Sequence, residues 1–131
     1  MSRYRIELRG YVPPTLNRML RQHWSRRRTE GFRVAWLVRA ALAESGQALP
    51  AQPLARARVM IERAAPGHAV DPDGLVGGCK GLLDVLQPAT PKRRYGLGLI
   101  QDDSPRHIDL IVSQRSVPRE EAGTTITIAE L

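Results

Sequence analysis

An α/β (α+β) fold, one compact domain over residues 1–131 with a mixed sheet flanked by helices in the order β-α-β-α-β-β, is what the sequence predicts. Three patterns predict it. Apolar residues alternate at Tyr4, Ile6, Leu8 and again at Ala57, Val59, Ile61, the period of a strand with one buried face. They recur every three to four residues from Phe32 to Leu42 and from Leu75 to Leu86, the period of a helix with one buried stripe. Strand-like runs then return at Ile108 to Ser113 and Thr124 to Ala129, after the helices, as in an α/β layer. A chain of 131 residues with 42% apolar content is long enough for one core.

In order along the chain, the first strand closes at Gly10 and Pro13-Pro14, because proline donates no ladder hydrogen bond and biases its predecessor to extended backbone. Arg18, Arg21, His23, Trp24 and Arg26-Arg27-Arg28 follow in a loop or short helix. Guanidinium forks suit phosphate oxygens and an indole suits stacking on a base. The structural alternative is that Trp24 covers the core, the arginines are solvated, and His23 is a packing residue rather than a proton carrier. A helix over Thr29 to Glu44 is predicted, with Thr29 as N-cap, Gly46 as stop, and Phe32, Ala35, Trp36, Val38 and Leu42 inward. Gln47 to Pro53 is a connecting loop.

The second strand ends before Pro66-Gly67, and Asp71-Pro-Asp73-Gly follows. Glycines 74, 77, 78 and 81 each cost about 1 kcal/mol inside a helix, so the spacing predicts a glycine loop first and a helix only from about Gly78. Lys80 and Asp84 then share one helical face at i, i+4. Gln87 to Gly98, with two prolines, two glycines and Lys92-Arg93-Arg94-Tyr95, is read as a loop. The run from Ile108 is expected to pair with Thr124 to Ala129.

Charge is sorted along the chain. Residues 1–40 carry ten arginines against two glutamates, while all six aspartates lie between 71 and 109. With a net charge of +7, such a basic concentration is the footprint of a polyanion binder. One cysteine, Cys79, excludes an intrachain disulfide and a multi-cysteine zinc site, and His23, His68 and His107 add no paired ligand spacing. There is no long apolar run for a leader or a membrane span, so a soluble, cytoplasmic protein without a membrane partner is expected.

Asp71 and Asp73, two apart in a segment read as extended, would point to one side, and Asp102 or Asp103 could close the set from the mouth of the next strand. Such carboxylates hold Mg²⁺, with Mn²⁺ as an alternative, and leave water in the remaining positions. Lys80 would neutralise developing charge or orient the attacking water. Only two of the twenty basic residues are lysines, and one stands beside the acidic cluster. Against this, Asp73 could simply cap a helix and Lys80 simply pair with Asp84.

These residues, Asp71-Pro-Asp73-Gly-Leu with Lys80 and Asp84, Asp102-Asp103-Ser-Pro, and Pro13-Pro14-Thr-Leu-Asn17, give a chain that resembles the RusA family of Holliday junction resolvases over nearly its whole length. The resemblance implies a homodimeric, Mg²⁺-dependent endonuclease that binds four-way DNA junctions and nicks them symmetrically. It implies metal-binding Asp71, Asp73 and Asp103 with Asp102 as neighbour, and an essential Lys80. Gly74 replaces the family's usual asparagine, and lysine follows Asp73 by seven residues rather than four, so three glycine-containing residues are expected to bulge out. DNA contacts are assigned to Arg18, Arg21, Trp24, Arg26, Arg27 and Arg28, with Lys92, Arg93 and Arg94. The other readings are a non-catalytic, basic nucleic-acid-binding protein of phage or prophage origin, and a basic subunit of a larger assembly.

Overall fold

The computed structural model describes residues 1–131. Strands β1 (Arg3–Arg9), β2 (Ala57–Ala65), β5 (Ile108–Ser116) and β6 (Gly123–Glu130) form one sheet in the order β1-β6-β2-β5. β6 is antiparallel to both β1 and β2, while β5 lies parallel to β2. The sheet is therefore mixed, as the sequence predicts. The expected β5–β6 pairing does not form. A parallel partner needs a long crossover, and residues 66–107 supply one, so β5 joins β2 and β6 threads between β2 and β1.

One sheet face is apolar and covered. Tyr4, Ile6 and Leu8 of β1, Val59 and Ile61 of β2, and Ile126 and Ile128 of β6 pack with Val34, Ala35, Val38 and Leu42 of helix α2 (Trp24–Glu44) and with Leu82, Leu83 and Leu86 of helix α4 (Lys80–Leu86). Every one of these residues is buried, which places the main hydrophobic stabilisation in this single layer. No helix covers the other face: its apolar residues Met60 and Ile111 are 44% and 47% exposed.

Helix α1 (Leu16–Leu20) is capped by the Thr15 hydroxyl, which accepts from the Arg18 N–H. Helix α2 (Trp24–Glu44) starts five residues earlier than predicted, because His23, not Thr29, caps it: Nδ1 accepts from the Ser25 N–H at 3.2 Å. Thr29 lies inside the helix and returns its hydroxyl to the Ser25 carbonyl. Trp36, predicted to face inward, is 68% exposed, and Phe32 is 45% exposed. The inward stripe is instead Gly31, Val34, Ala35, Val38 and Leu42, a full 3.6-residue progression that leaves Trp36 on the outer side.

The glycine segment is helical, which corrects the predicted loop and the predicted bulge. Helix α3 (Pro72–Gly78) and helix α4 (Lys80–Leu86) are separated only by a turn at Cys79. Proline at the first helical position and an aspartate cap favour the start, and close packing offsets the glycine cost. A side chain at Gly77 would meet Leu16, and one at Gly78 would collide with the Pro14 carbonyl oxygen. The glycines let α1 and its lead-in lie directly on α3.

Residues 87–98 are likewise not a loop. Strands β3 (Pro88–Thr90) and β4 (Arg93–Leu97) form a small antiparallel hairpin. Gly96 permits it, since a Cβ there would strike the Gln87 and Pro88 backbone, and Gly98 turns the chain with φ 75°. No helix is long and apolar enough to cross a membrane.

Candidate functional site

Asp84 and Asp103, one from each half of the acidic region, are brought together by backbone anchoring. The Leu86 carbonyl at the end of α4 accepts from the N–H groups of Leu99 and Ile100, at 2.8 and 3.0 Å. Leu54 clasps the same segment, donating to the Leu99 carbonyl and accepting from the Gln101 N–H. Leu99 and Ile100 are fully buried. Residues 102–103 therefore emerge from a fixed point beside α4.

Lys80 occupies that meeting point. Its Nζ donates to Asp84 Oδ1 at 3.2 Å and to Asp103 Oδ2 at 3.1 Å. Asp84 Oδ1 also accepts from Arg93 at 3.0 Å and from Gln87 Nε2 at 3.4 Å. Arg93 comes from β4, so the hairpin reaches back over α4 to complete the network. The Nε of Arg93 is buried with no hydrogen-bond partner.

Partial burial alone would lower the pKa of Lys80, but hydrogen bonds to Asp103 and Asp84 outweigh it and leave the pKa above the ordinary lysine range. A raised pKa means the ion pairs are intact at neutral pH and are lost only as pH rises through that elevated value. Lys80 thus acts as a cation and not as a general base. Asp102 is shifted the other way: the backbone N–H of Asp103 and the Ser104 side chain hold its carboxyl below the usual range.

Asp71 and Asp73 are not two side chains of an extended segment. Asp71 caps α3, with Oδ2 accepting from the Gly74 N–H at 3.0 Å, and Asp73 lies in the first helical turn. The lead-in is fixed from β5, where Gln114 accepts from the Val70 N–H and donates to the Val70 carbonyl. Lys80 stands seven positions after Asp73, beyond the turn at Cys79 that separates α3 from α4, and Leu16 lies over Gly77 between them. No three His, Cys, Asp or Glu side chains gather at metal-ligand spacing.

A cleft of about 180 Å³ opens beside this network, lined by Lys80 and Asp84 together with Tyr11, Gln22, Arg27 and Tyr95. Burial pushes the Tyr11 hydroxyl well above its ordinary pKa, and Tyr95 shifts the same way through burial and the Asp84 carboxylate. Both phenols are therefore neutral donors. Tyr95 stacks edge-on against Phe32 with ring centroids 5.5 Å apart, and its ring covers Gly31, where a Cβ would clash. Cys79 is fully buried and its thiol is pushed up to about 11 by that burial, so it is no nucleophile.

Arg18, Arg21, Arg26, Arg27 and Arg28 are all exposed, as are Lys92 and Arg94 on the hairpin. Trp24 is 63% exposed and lies outside the core. Arg26, Arg27 and Arg28 stand near the start of a 21-residue helix whose first turn holds no acidic residue, and add cations to the positive end of the helix dipole. Arg93 differs, being turned inward to Asp84. Spacing in the sequence is enough to find Lys80–Asp84. It does not find Arg93 and Gln87 as partners of Asp84, and no local signal marks them, because their approach depends on the hairpin. No protein-family model matches the chain, and no curated protein matches its sequence.

Proposed function

We propose that the protein is a metal-dependent, structure-selective DNA endonuclease of the RusA kind, resolving four-way junctions by paired nicks in recombination and repair, as a homodimer in the reducing cytoplasm. The observation that carries this reading is the cleft lined both by Lys80, fixed between Asp84 and Asp103, and by Arg27 of the basic segment. A phosphate drawn to Arg26, Arg27 and Arg28 is delivered next to a permanent cation and a set of carboxylates. Positive charge placed where negative charge develops is the main requirement of phosphodiester cleavage.

Asp71, Asp73, Asp102 and Asp103 are the residues to hold Mg²⁺ or Mn²⁺. Their oxygen chemistry suits a hard cation that needs only one or two carboxylates beside water. Asp71 and Asp103 each commit only Oδ2 in the hydrogen bonds they make, which leaves Oδ1 of each for a ligand. The ion when bound supplies charge neutralisation and a more acidic water. Lys80 holds its place by its two aspartate contacts, and the arginines supply the DNA grip.

A second reading, non-catalytic binding of nucleic acid, is favoured by one observation: Asp84 and Asp103 are already neutralised by Lys80 and Arg93, and no three candidate ligands stand together. A labelled four-way junction and a linear duplex, incubated with Mg²⁺ or EDTA, separate the two. The nuclease reading expects Mg²⁺-dependent nicking of the junction by the wild type and a loss of about 100-fold or more in Asp73→Asn. Junction binding without any nicking by the wild type selects the second reading. In either case Ala at Arg26, Arg27 and Arg28 together should reduce the salt slope of binding by about 0.9 for each phosphate that is no longer neutralised.

A further inference from the structure

Helix α2 carries on its outside the rings that a core would ordinarily claim. Trp24 and Trp36 are the only tryptophans of the chain and Phe32 its only phenylalanine, yet all three are exposed, while the core beneath them is built from Ile, Leu, Val and tyrosine. Large apolar rings gathered on a surface mark a contact site. Trp36 follows Phe32 by four residues, so the two rings share one face about 6 Å apart along the axis. Trp24 begins the same helix about two turns before Phe32.

Cations flank the rings. Arg28 precedes Phe32 by four residues and Arg39 follows Trp36 by three, which puts a guanidinium beside each ring. Both arginines are exposed, and neither makes an ion pair within the chain. Arg33 is held by Glu30 at 2.7 Å, and Glu30 is the only acidic residue of the helix before Glu44 at its end. Aromatic faces alternating with free cations suit a single nucleic-acid strand: bases of any identity stack on the rings, and phosphates take the cations. A duplex keeps its bases stacked inside, so it reaches the arginines but not the rings.

The same face leads to the cleft. Phe32 meets Tyr95 edge-on with ring centroids 5.5 Å apart, and Tyr95 lines the cleft with Arg27, Lys80 and Asp84. A strand held in the cleft has Phe32, and one turn further Trp36, as its next supports outside it. We propose that the outer face of α2 is a stacking platform for an unpaired DNA strand, with bases on Phe32 and Trp36 and phosphates on Arg28 and Arg39. The proposal rests on the nucleic-acid reading above and deepens it, since the DNA preferred is one with an opened strand beside the branch. Trp and Arg also anchor protein interfaces, but the basic run continues from Arg18 and Arg21 into this helix, which favours a polyanion.

Tryptophan fluorescence reads the platform directly, because both tryptophans lie on it. The full chain in EDTA is titrated with an oligothymidylate of about 12 nucleotides, within the site sizes of single-strand binders, with an abasic oligomer of equal length, and with a blunt duplex. Oligothymidylate should quench the emission and bind about 10-fold tighter than the abasic oligomer. Trp36→Ala should weaken oligothymidylate binding by about 5- to 100-fold while moving the duplex by less than about twofold, and Trp36→Phe should stay within about threefold of the wild type. Arg39→Ala should lower the salt slope by about 0.7, the value for one phosphate of a single strand. Rescue by phenylalanine and unchanged duplex binding make the result independent of folding. Equal affinity for the thymidylate and abasic oligomers overturns the inference. So does oligothymidylate binding indifferent to Trp36→Ala and Phe32→Leu together, which leaves the face to an acidic protein partner. A wild type that stacks the strand but never nicks a junction with Mg²⁺ loses only the nuclease, and one that nicks without telling thymidylate from abasic strand loses only the platform.

Discussion

Gly78→Ala should lose about 3 kcal/mol of stability, at the upper end of overpacking costs, and melt about 10 °C lower than the wild type. The reason is local. An alanine Cβ at 78 would run into the Pro14 carbonyl oxygen, and the atoms next nearest are also backbone, Pro14 C and Thr15 C. No side-chain rotation relieves such a clash, so α3 must separate from the segment leading into α1. Gly77→Ala should cost less, near 1 kcal/mol, because its obstacle is the flexible Leu16 side chain. Gly81→Ala has the opposite sign: nothing lies within 4 Å of its Cβ position, and alanine in an exposed helical position gains about 0.5 to 1 kcal/mol. Urea unfolding of the three variants gives the order 78, 77, 81 from most to least destabilised. A Gly78→Ala protein as stable as the wild type would remove the close-packing account of the glycine segment.

That segment also shows where sequence patterning loses its grip. Glycine propensity argues for a loop between Asp73 and Lys80, and propensity is outweighed here by a tertiary contact with Pro14 and Leu16 that no local window contains. β1 is legible because alternation alone decides which face of a strand is buried: Tyr4, Ile6 and Leu8 are inside, and the residues between them are outside. Strand partners are not legible in the same way. Nothing in Thr124 to Ala129 says that Ile126 will stand between Ile6 and Ile61, since that follows from the crossover through residues 66–107. Trp36 departs from its predicted inward position for a different reason. In a helix packed on one sheet face, the buried stripe is narrow, and Gly31 and Val34 occupy it, leaving a large aromatic side chain in solvent.

The site is legible in part for the same causes. Spacing alone gives Lys80–Asp84, one helical turn apart. Asp103 reaches Lys80 only because Leu86, Leu99 and Leu54 bond through their backbones, a long-range arrangement that follows from burying Leu99 and Ile100. Arg93 reads as a DNA contact from its basic neighbours, yet the hairpin turns it inward to Asp84 while Lys92 and Arg94 remain outside.

Asp84→Ala should then be the most costly single change in the polar network, at about 2 to 3 kcal/mol. Its Oδ1 accepts from Lys80, Arg93 and Gln87, and only 20% of the Asp84 side chain is exposed. The three donors do not suffer equally. Lys80 is 56% exposed and also bonded to Asp103, so it turns to water and its remaining partner at little cost. Arg93 is 25% exposed with its Nε already lacking a partner, and losing Asp84 leaves a largely desolvated guanidinium without a counter-charge. Replacing both members of such a pair costs less than removing one. Adding Arg93→Met to Asp84→Ala should therefore recover about 1 to 2 kcal/mol, whereas adding Lys80→Met should recover almost nothing. A double-mutant cycle by urea unfolding measures both couplings. If Asp84 couples more strongly to Lys80 than to Arg93, the hairpin does not hold the network together. With the predicted order, Lys80 is energetically the free member, and a Lys80→Met protein of near wild-type stability becomes the clean variant in which to measure what that cation does to DNA.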